Sequence, residues 1–203
     1  RAKKKTNDGI SITKCLTFNL IYYIMIPGGT IMNIFAIGGC EETGTIDWEQ
    51  SARELDNYRV VKMILESCQM LCTTLNHHGF ETPYRNAHFN HPSTKWVRES
   101  SANFLNLVKH TEAMLEEYKL RFGQHKVHKC ERVLHICKDL YDPSKFPTDK
   151  PTKLPLCMPD EFKSENIVKS YRDFYSDKPK MRYPKEKIPL WFADRRKNDF
   201  DVV

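Results

Sequence analysis

The sequence lacks the loop motifs that mark several large enzyme classes. Its eight glycines form no G-x-x-x-x-G-K-[ST] phosphate loop, no G-x-G-x-x-G dinucleotide fingerprint and no G-x-S-x-G nucleophile elbow. No apolar run reaches the roughly 18 residues that a membrane-spanning helix requires. Phosphate-loop nucleotide enzymes, α/β-hydrolases and polytopic membrane proteins are therefore excluded, and we expect no membrane partner.

Paired cysteines are also missing. The chain has seven cysteines, an odd number, and none of them forms a C-x-x-C pair. This usage is typical of free, buried thiols in a reducing compartment, and it predicts a cytoplasmic protein.

The excess of basic charge lies mostly in the first segment. The net charge is +6, but residues 1–31 hold five Lys or Arg and one Asp, which leaves 27 basic and 25 acidic residues in 32–203. Any surface that binds an acidic partner must therefore be local.

Residues 1–31 also differ from the rest in pattern. A lysine cluster precedes the apolar stretch 15–26 and resembles a signal leader, and Ile37-Gly38-Gly39-Cys40 resembles a bacterial lipoprotein cleavage box. Alternatively, Gly28 and Gly29 can be encoded by a ribosome-binding sequence that ends six bases before the codon of Met32, with Thr30 and Ile31 as the spacer. We favour this second interpretation, in which 1–31 is a non-native upstream segment and 32–203 is a single α-helical domain.

The remaining sequence favours a mainly α fold with a substantial core. Hydrophobic residues make up 40% of the chain and aromatic residues 11%, which is enough for one domain. Helical spacing of apolar residues predicts helices over 48–78, 93–122, 126–141 and from 160 or 164 to 175. We predict a compact bundle of about four helices, with a short extended segment at 33–37 and an irregular C-terminal strap at 177–203.

A polar stripe on the first predicted helix is a candidate catalytic site. Arg59, Lys62 and Glu66 follow one another at i, i+3 and i+7. Lys62 and Glu66 have the spacing of an ordinary surface ion pair, worth about 0.3–0.5 kcal/mol. The functional alternative is a carboxylate held among cations that acts on a ribose or a base, and a desolvated lysine can also be a Schiff-base nucleophile.

The segment 84–98 is rich in cations and aromatic rings. Cations bind phosphates and aromatic rings stack on bases, so the segment is a candidate DNA-binding surface. The alternative is a loop whose aromatic residues fix it to the core. His91 starts a predicted helix, where the helix N-terminus can receive a phosphate. The candidate DNA-binding residues are Arg59, Arg85, Lys95, Trp96, Arg98 and, from the last predicted helix, Arg172.

A cluster of His and Cys after the second predicted helix has the composition but not the geometry of a metal site. On a helical wheel His125, His128 and His135 share one side, whereas Cys130 and Cys137 lie nearly opposite. One tetrahedral ion cannot collect both sets, so we predict no metal, and no motif indicates a cofactor.

Six short motifs follow one another along residues 34–192. They are Asn57-Tyr58-Arg59-Val60-Val61-Lys62-Met63-x-x-Glu66, Asn90-His91-Pro92-x-x-x-Trp96-Val97-Arg98, Glu116-Glu117-Tyr118-x-x-Arg121-x-Gly123, Met158-Pro159-Asp160-Glu161-Phe162-Lys163, Tyr171-Arg172 and Pro189-x-Trp191-Phe192. Together they resemble a family of small, largely uncharacterised proteins of phages and bacteria. Members of that family carry Asp and His where this chain has Asn57 and Arg59.

A smaller set of residues carries a second resemblance. The set is Glu66, His91 and the helix end Glu117…Arg121-x-Gly123. It resembles the pyrimidine-dimer DNA glycosylases of the phage endonuclease V type, which implies a small helical enzyme with a catalytic Glu on one helix and a His that starts another. In that family the nucleophile is the α-amino group of the chain, which forms a Schiff base with the damaged sugar. Here that amine would belong to Met32, or to no residue of the site if the chain begins at Arg1.

These observations predict a DNA-acting protein of a phage or bacterium, located in the bacterial host cytoplasm. It would excise damaged or modified bases as a glycosylase and lyase, with Glu66, Lys62 and His91 as catalytic residues and DNA as its partner. The alternatives are a non-catalytic phage accessory protein that binds nucleic acid or a host protein, and a secreted lipoprotein.

Overall fold

A computed structural model describes residues 32–179 and 181–196. The predicted upstream segment, 1–31, and the end of the C-terminal strap therefore lie outside the described residues. The described chain is mainly helical, as predicted, and it contains no β-strand. Its α-helices are α1 (Trp48–Arg53), α2 (Asn57–His77), α3 (Pro92–Glu99), α4 (Ser101–Phe122), α5 (Cys130–Asp139), α6 (Ile167–Ser176) and α7 (Leu190–Arg195). Single 3₁₀ turns lie at Pro143–Lys145, Asp160–Phe162 and Lys185–Lys187.

The described chain starts with an extended arm, residues 32–37, that is buried along its whole length. Its six residues are each at most 6% exposed, so the predicted extended segment forms part of the core. Gly38 and Gly39 then turn the chain tightly against α1. A Cβ on Gly38 would lie 2.2 Å from the backbone nitrogen of Ser51, and Gly39 has a φ of +115°, so neither position accepts a side chain without strain.

The helix predicted over 48–78 is in fact two helices. The second of them, α2, starts after Asp56, whose side chain accepts a hydrogen bond from the backbone N–H of Arg59. Asp56 is fully buried and also accepts a 3.0 Å bond from the hydroxyl of Tyr175 on α6. The prediction of one continuous helix is wrong because this capping residue is held by a partner 119 residues away.

The helix predicted over 93–122 is likewise interrupted. Ser100 is extended, with φ −151° and ψ 142°, and its hydroxyl caps α4 by accepting from two backbone N–H groups, one of them that of Asn103. The Asn103 side chain donates to the carbonyl of Trp96 at 2.8 Å, which ties α3 to the start of α4. The last two predicted helices are present as α5 and α6, and both are shorter than predicted.

The central helix is α2, which packs against α3, α4 and α5. Its predicted apolar face is largely confirmed, since Val60, Ile64, Cys68 and Leu71 are fully buried, whereas Val61 is 38% exposed. The described chain thus has seven α-helices around one core, where the sequence predicted about four.

The predicted C-terminal strap contains a 3₁₀ turn and α7 within its described part. Phe192 is 1% exposed and joins the core, and Trp191 donates its indole N–H to Glu54 at 2.7 Å. Lys187 donates to both carboxylate oxygens of Glu117 on α4 at 2.8 Å. The strap therefore fastens the C-terminal part to the end of α1 and to α4.

Candidate active site

Glu66 is a buried carboxylate near the middle of α2. The residue is 5% exposed, and the Lys62 ammonium, one turn earlier, lies 3.2 Å from its Oε1. Its second oxygen, Oε2, is buried and has no hydrogen-bond partner among the described residues. Most buried carboxylate oxygens are satisfied, so an unpartnered one makes Glu66 a candidate for a functional role.

The surroundings of Glu66 favour its neutral form. Burial raises the pKa of the Glu66 carboxyl, and the positive charge of Lys62 and the backbone N–H of Asn33 offset only part of this. Asn33 belongs to the N-terminal arm, so the arm contacts the carboxylate. Carboxyls whose pKa is shifted by burial and a neighbouring charge are more frequent at functional sites.

The same arm also contacts the start of α3. The side chain of Asn33 donates to the carbonyl of Cys157 at 2.8 Å, and the Cys157 thiol lies 3.4 Å from the hydroxyl of Ser93. The hydroxyl of Thr94 donates to the sulfur of Met32 at 3.6 Å. The arm therefore contacts both Glu66 and the N-terminal turn of α3, two of the parts that the sequence predicts for the site.

His91 is the N-cap of α3, as the sequence predicted. Its Nδ1 accepts from the backbone N–H of Ser93 at 3.2 Å, and Pro92 follows in the first turn. Burial, together with the nearby His88, lowers the pKa of the His91 imidazole. A neutral His91 is thus placed at the helix start with Nδ1 as an acceptor.

Arg59 lies one turn before Lys62 on the same helix. Its Nη1 lies 3.0 Å from Oδ1 of Asp56, and its guanidinium lies over the ring of Tyr175 at 5.0 Å. Arg59 is half-buried. The predicted DNA contact at this position would use the part of the guanidinium that does not contact Asp56 or Tyr175.

Lys178 is a cationic residue near this helix that the sequence analysis did not identify. Its ammonium lies 3.4 Å from the centre of the Phe174 ring. Burial and the positive charge of Arg59 lower the pKa of Lys178 to about 8; Lys62 acts in the same direction, and Asp177 opposes them. Its distance in sequence from α2 explains why no local motif indicates it.

The cations of the segment 84–98 have different surroundings. Arg85 and Lys95 are exposed. Arg98 instead donates to the carbonyl of Phe89 at 2.8 Å and stacks on its ring at 3.9 Å, so it holds the loop together. The structural interpretation therefore applies to Arg98, while DNA binding by Arg85 and Lys95 stays a prediction.

Trp96 and Arg172 are both in the interior. Trp96 is 2% exposed, its indole N–H donates to the carbonyl of Thr152 at 3.1 Å, and its ring lies 5.6 Å from that of Trp48. Arg172 is 8% exposed and donates to the carbonyl of Ile37 at 2.7 Å, at the end of the arm. In this conformation neither side chain can reach DNA, so we do not carry them into the proposed contact surface.

The motif Glu117…Arg121-x-Gly123 has a structural explanation. Arg121 pairs with Glu117 at 2.8 Å, and both side chains are at most 5% exposed. The same guanidinium donates to the carbonyls of Arg53 and Leu55 at 2.7 and 2.6 Å, where α1 ends. Gly123 ends α4 with a φ of +123°, a conformation that favours glycine.

Among the described residues, no group of three or more His, Cys, Asp or Glu side chains is placed to hold a metal ion. None of the helices in that part of the chain is long and apolar enough to cross a membrane.

Comparison with known proteins gives one match. No curated protein and no solved structure significantly resembles the chain, so the likeness to an uncharacterised phage and bacterial family stays a prediction. Residues 32–130 contain the arm, Glu66, His91 and the Arg121 motif. This segment matches the family model described as pyrimidine dimer DNA glycosylase, which confirms the resemblance to that family over the part of the chain that holds the candidate site.

Proposed function

We propose that this protein is a DNA glycosylase that removes damaged or modified bases from duplex DNA and then opens the abasic site as a lyase. The observation that carries the proposal is Glu66, whose Oε2 is buried without a partner inside the segment that matches the glycosylase family. Most buried carboxylate oxygens are hydrogen-bonded, which makes the unpartnered Oε2 a candidate for a role in function.

The chemistry follows from the position of Glu66. When the N-glycosidic bond breaks, positive charge develops on the sugar, as an oxocarbenium ion or as an iminium ion if an amine attacks C1′. An ionised Glu66 stabilises that charge in a site that excludes water, where electrostatic interactions are strong. Lys62, 3.2 Å away, keeps a fraction of Glu66 ionised despite burial.

An amine is also needed for the lyase step. The resemblance implies the α-amino group, and the arm brings the backbone of Asn33 to Glu66, so a chain that started at Met32 would place its α-amino group one residue away. In the 203-residue chain, however, the nitrogen of Met32 is an amide. The amine is therefore either an α-amino group released at Met32 or a lysine side chain.

The proposed DNA contacts lie on the exposed face next to α3. Arg85 and Lys95 are exposed and can bind phosphates, and His91 lies at the start of α3 between them. Arg59 and Lys62 extend the positive charge along α2. We place the activity in the bacterial host cytoplasm, because this compartment contains the DNA substrate and keeps free cysteines reduced.

The test is excision from ultraviolet-irradiated duplex DNA by the full chain, with the unirradiated duplex as control. Abasic sites are counted as alkali-labile breaks, and lyase activity is counted as breaks formed without alkali. Damage-dependent alkali-labile sites support the proposal. Salt-sensitive binding without any excision on irradiated or base-modified duplexes would instead favour the non-catalytic accessory protein, and the absence of binding at low salt would exclude both.

A further inference from the structure

We propose that the C-terminal end of α2 carries a second phosphate-binding site for the DNA backbone, in which His77, His78 and Lys145 contact a phosphate. Arg98 adds positive charge to this site. The inference rests on the proposed function and gives its DNA substrate a contact away from Glu66. Lys145 lies outside the segment 32–130 that matches the family, so the family match does not imply this site.

One aromatic ring brings together the cations of α2 and α3. The ring centre of Phe89 lies 5.5 Å from that of His77, and the guanidinium carbon of Arg98 lies 3.9 Å from the same centre. His77 is exposed and Arg98 is half-buried. A histidine and an arginine from two helices thus share one side of the molecule.

A second aromatic ring adds the cations of the following loop. The rings of His77 and His78 lie 5.7 Å apart, and the His78 ring packs edge-on against Phe146 at 4.5 Å. Phe146 is buried, and Lys145, the residue before it, is exposed. Contacts between neighbouring rings therefore connect the end of α2 with this lysine on one side and with Arg98 on the other.

The electrostatics agree with this arrangement. Burial lowers the pKa of the His78 imidazole, and the positive charges around it lower this pKa further. These charges belong to His77, Arg98 and Lys145, and Asp142 acts against them. Cations gathered in one place repel one another, so the protonated form of the cluster is favoured when an anion binds between them.

The protein itself neutralises little of this charge. Oδ1 of Asp142 already accepts from the backbone N–H of Ser144 at 2.9 Å and from its hydroxyl at 2.7 Å. Nδ1 of His78 is buried and has no hydrogen-bond partner among the described residues, so no internal acceptor holds a proton on it. A phosphate supplies both the missing charge and several acceptor oxygens.

The cluster borders the predicted DNA-binding segment 84–98. The hydroxyl of Thr73 on α2 donates to the carbonyl of Ala87 at 3.2 Å and accepts from its N–H at 3.0 Å. These bonds hold the segment against the last turns of α2. Lys95 is exposed and lies one turn before Arg98 on α3, so its phosphate contact and the proposed site would form one continuous surface.

The spacing from Glu66 fits a duplex that runs along α2. His77 follows Glu66 by eleven residues, which is three helical turns, so the two side chains leave α2 on the same side, about 16 Å apart along the axis. Duplex DNA rises 3.4 Å per base pair, so this spacing corresponds to about five base pairs. With the damaged nucleotide at Glu66, a backbone phosphate would reach the cluster.

The experiment measures the affinity of the full chain for a short undamaged duplex between about pH 7.5 and pH 5.5, where imidazoles gain a proton. We expect the wild-type affinity to rise at least about fivefold as the pH falls. The double variant His77→Gln/His78→Gln should lose most of this gain. His135→Gln, a change at an exposed histidine of α5, should keep it. His88 and His91 titrate in the same range but are present in both variants.

Two further measurements do not depend on the double variant. Lys145→Ala changes an exposed side chain and should lower the slope of log affinity against log salt concentration by about one, whereas Lys138→Ala should not. In the wild type, ring-proton NMR should show a higher pKa of His78 in the DNA complex than in the free protein, because a bound phosphate favours the protonated imidazole.

The same pH dependence in the double variant and the wild type would overturn the proposal, and so would an unchanged pKa of His78 in the complex. Binding of inorganic phosphate at His77 and His78 without an effect on DNA affinity would also overturn it, since the site would then serve free phosphate. Alkali-labile sites on irradiated DNA report the glycosylase separately. If they form while the double variant binds like the wild type, this inference alone fails. If none form while the pH dependence is as expected, only the glycosylase assignment fails.

Discussion

The ammonium of Lys62 lies 3.2 Å from Oε1 of Glu66, while Oε2 of the same carboxylate is buried and unpartnered among the described residues. The two side chains are only 13% and 6% exposed, so this is not the solvated surface pair that its i, i+4 spacing resembles. Buried carboxylate oxygens are usually hydrogen-bonded, although Oε2 of Glu131, which pairs with Lys119, is also buried without a partner among the described residues. Under the proposed function, Lys62 keeps Glu66 partly ionised and Oε2 is the oxygen that acts on the substrate.

The first prediction concerns the pH dependence of excision in Lys62→Met. The charge of Lys62 lowers the pKa of Glu66 against the effect of burial, so its removal raises that pKa further. Because the ionised carboxylate is the active form, the acid side of the pH–rate profile should move to higher pH. Lys62→Arg, which keeps the charge, should show a smaller shift of the pH–rate profile. Equal profiles for Lys62→Met and wild type would show that Lys62 does not control the ionisation of Glu66.

The second prediction concerns the buried pair of α4. Arg121→Met leaves Glu117 paired with Lys187 alone and removes the donors to the carbonyls of Arg53 and Leu55. We expect a loss of about 1–3 kcal/mol in the free energy of unfolding, measured by urea denaturation, because these carbonyls lose their charged donor. Lys119→Met breaks a more exposed pair and should cost below about 1 kcal/mol. Similar losses in both variants would contradict the structural role of Arg121.

The third prediction separates two cations of the segment 84–98. Lys95→Ala removes one exposed phosphate contact, so the slope of log affinity for duplex DNA against log salt concentration should fall by about one. The free energy of unfolding should not change. Arg98→Ala removes the 2.8 Å bond to Phe89 and should instead lower the free energy of unfolding by about 1–3 kcal/mol. Lys138→Ala, an exposed lysine of α5, is the control for non-specific charge. Identical salt dependence in Lys95→Ala and Lys138→Ala would remove Lys95 from the interface.

Local pattern was sufficient to predict the helical class, the buried face of α2 and the candidate carboxylate. Hydrophobic spacing predicts these because a helix repeats every 3.6 residues. The helix breaks at Asp56 and Ser100 were missed, since Asp56 is fixed by Tyr175, 119 residues away. A cap that depends on a tertiary partner has no periodic signal.

The candidate site was likewise predicted only where its residues lie close together in the sequence. Glu66 and Lys62 are neighbours in sequence and were identified together, whereas the arm at Asn33 comes from a distant segment. Residue type alone also placed Trp96 and Arg172 on DNA, although folding buries both. Burial depends on the packing of the whole chain, which a motif does not contain.

The last prediction concerns Glu66→Gln, and its folding control comes first. Burial raises the pKa of Glu66 in the folded state, so its stabilising contribution is present below its unfolded pKa and lost as pH rises through its folded pKa. At neutral pH the uncharged glutamine avoids the free-energy cost of burying an ionised carboxylate. We therefore expect Glu66→Gln to be at least as stable as the wild type in urea denaturation at pH 7, and relatively less favoured at acid pH.

The deciding measurement is single-turnover formation of alkali-labile sites in ultraviolet-irradiated duplex by wild type and Glu66→Gln, with DNA affinity measured in parallel. If Glu66 stabilises the cationic sugar, the variant should lose about 10²-fold or more in rate while its affinity stays within a few-fold. Formation of these sites by Glu66→Gln at the wild-type rate would contradict the proposed mechanism, because the unpartnered carboxylate would then have no part in the chemistry.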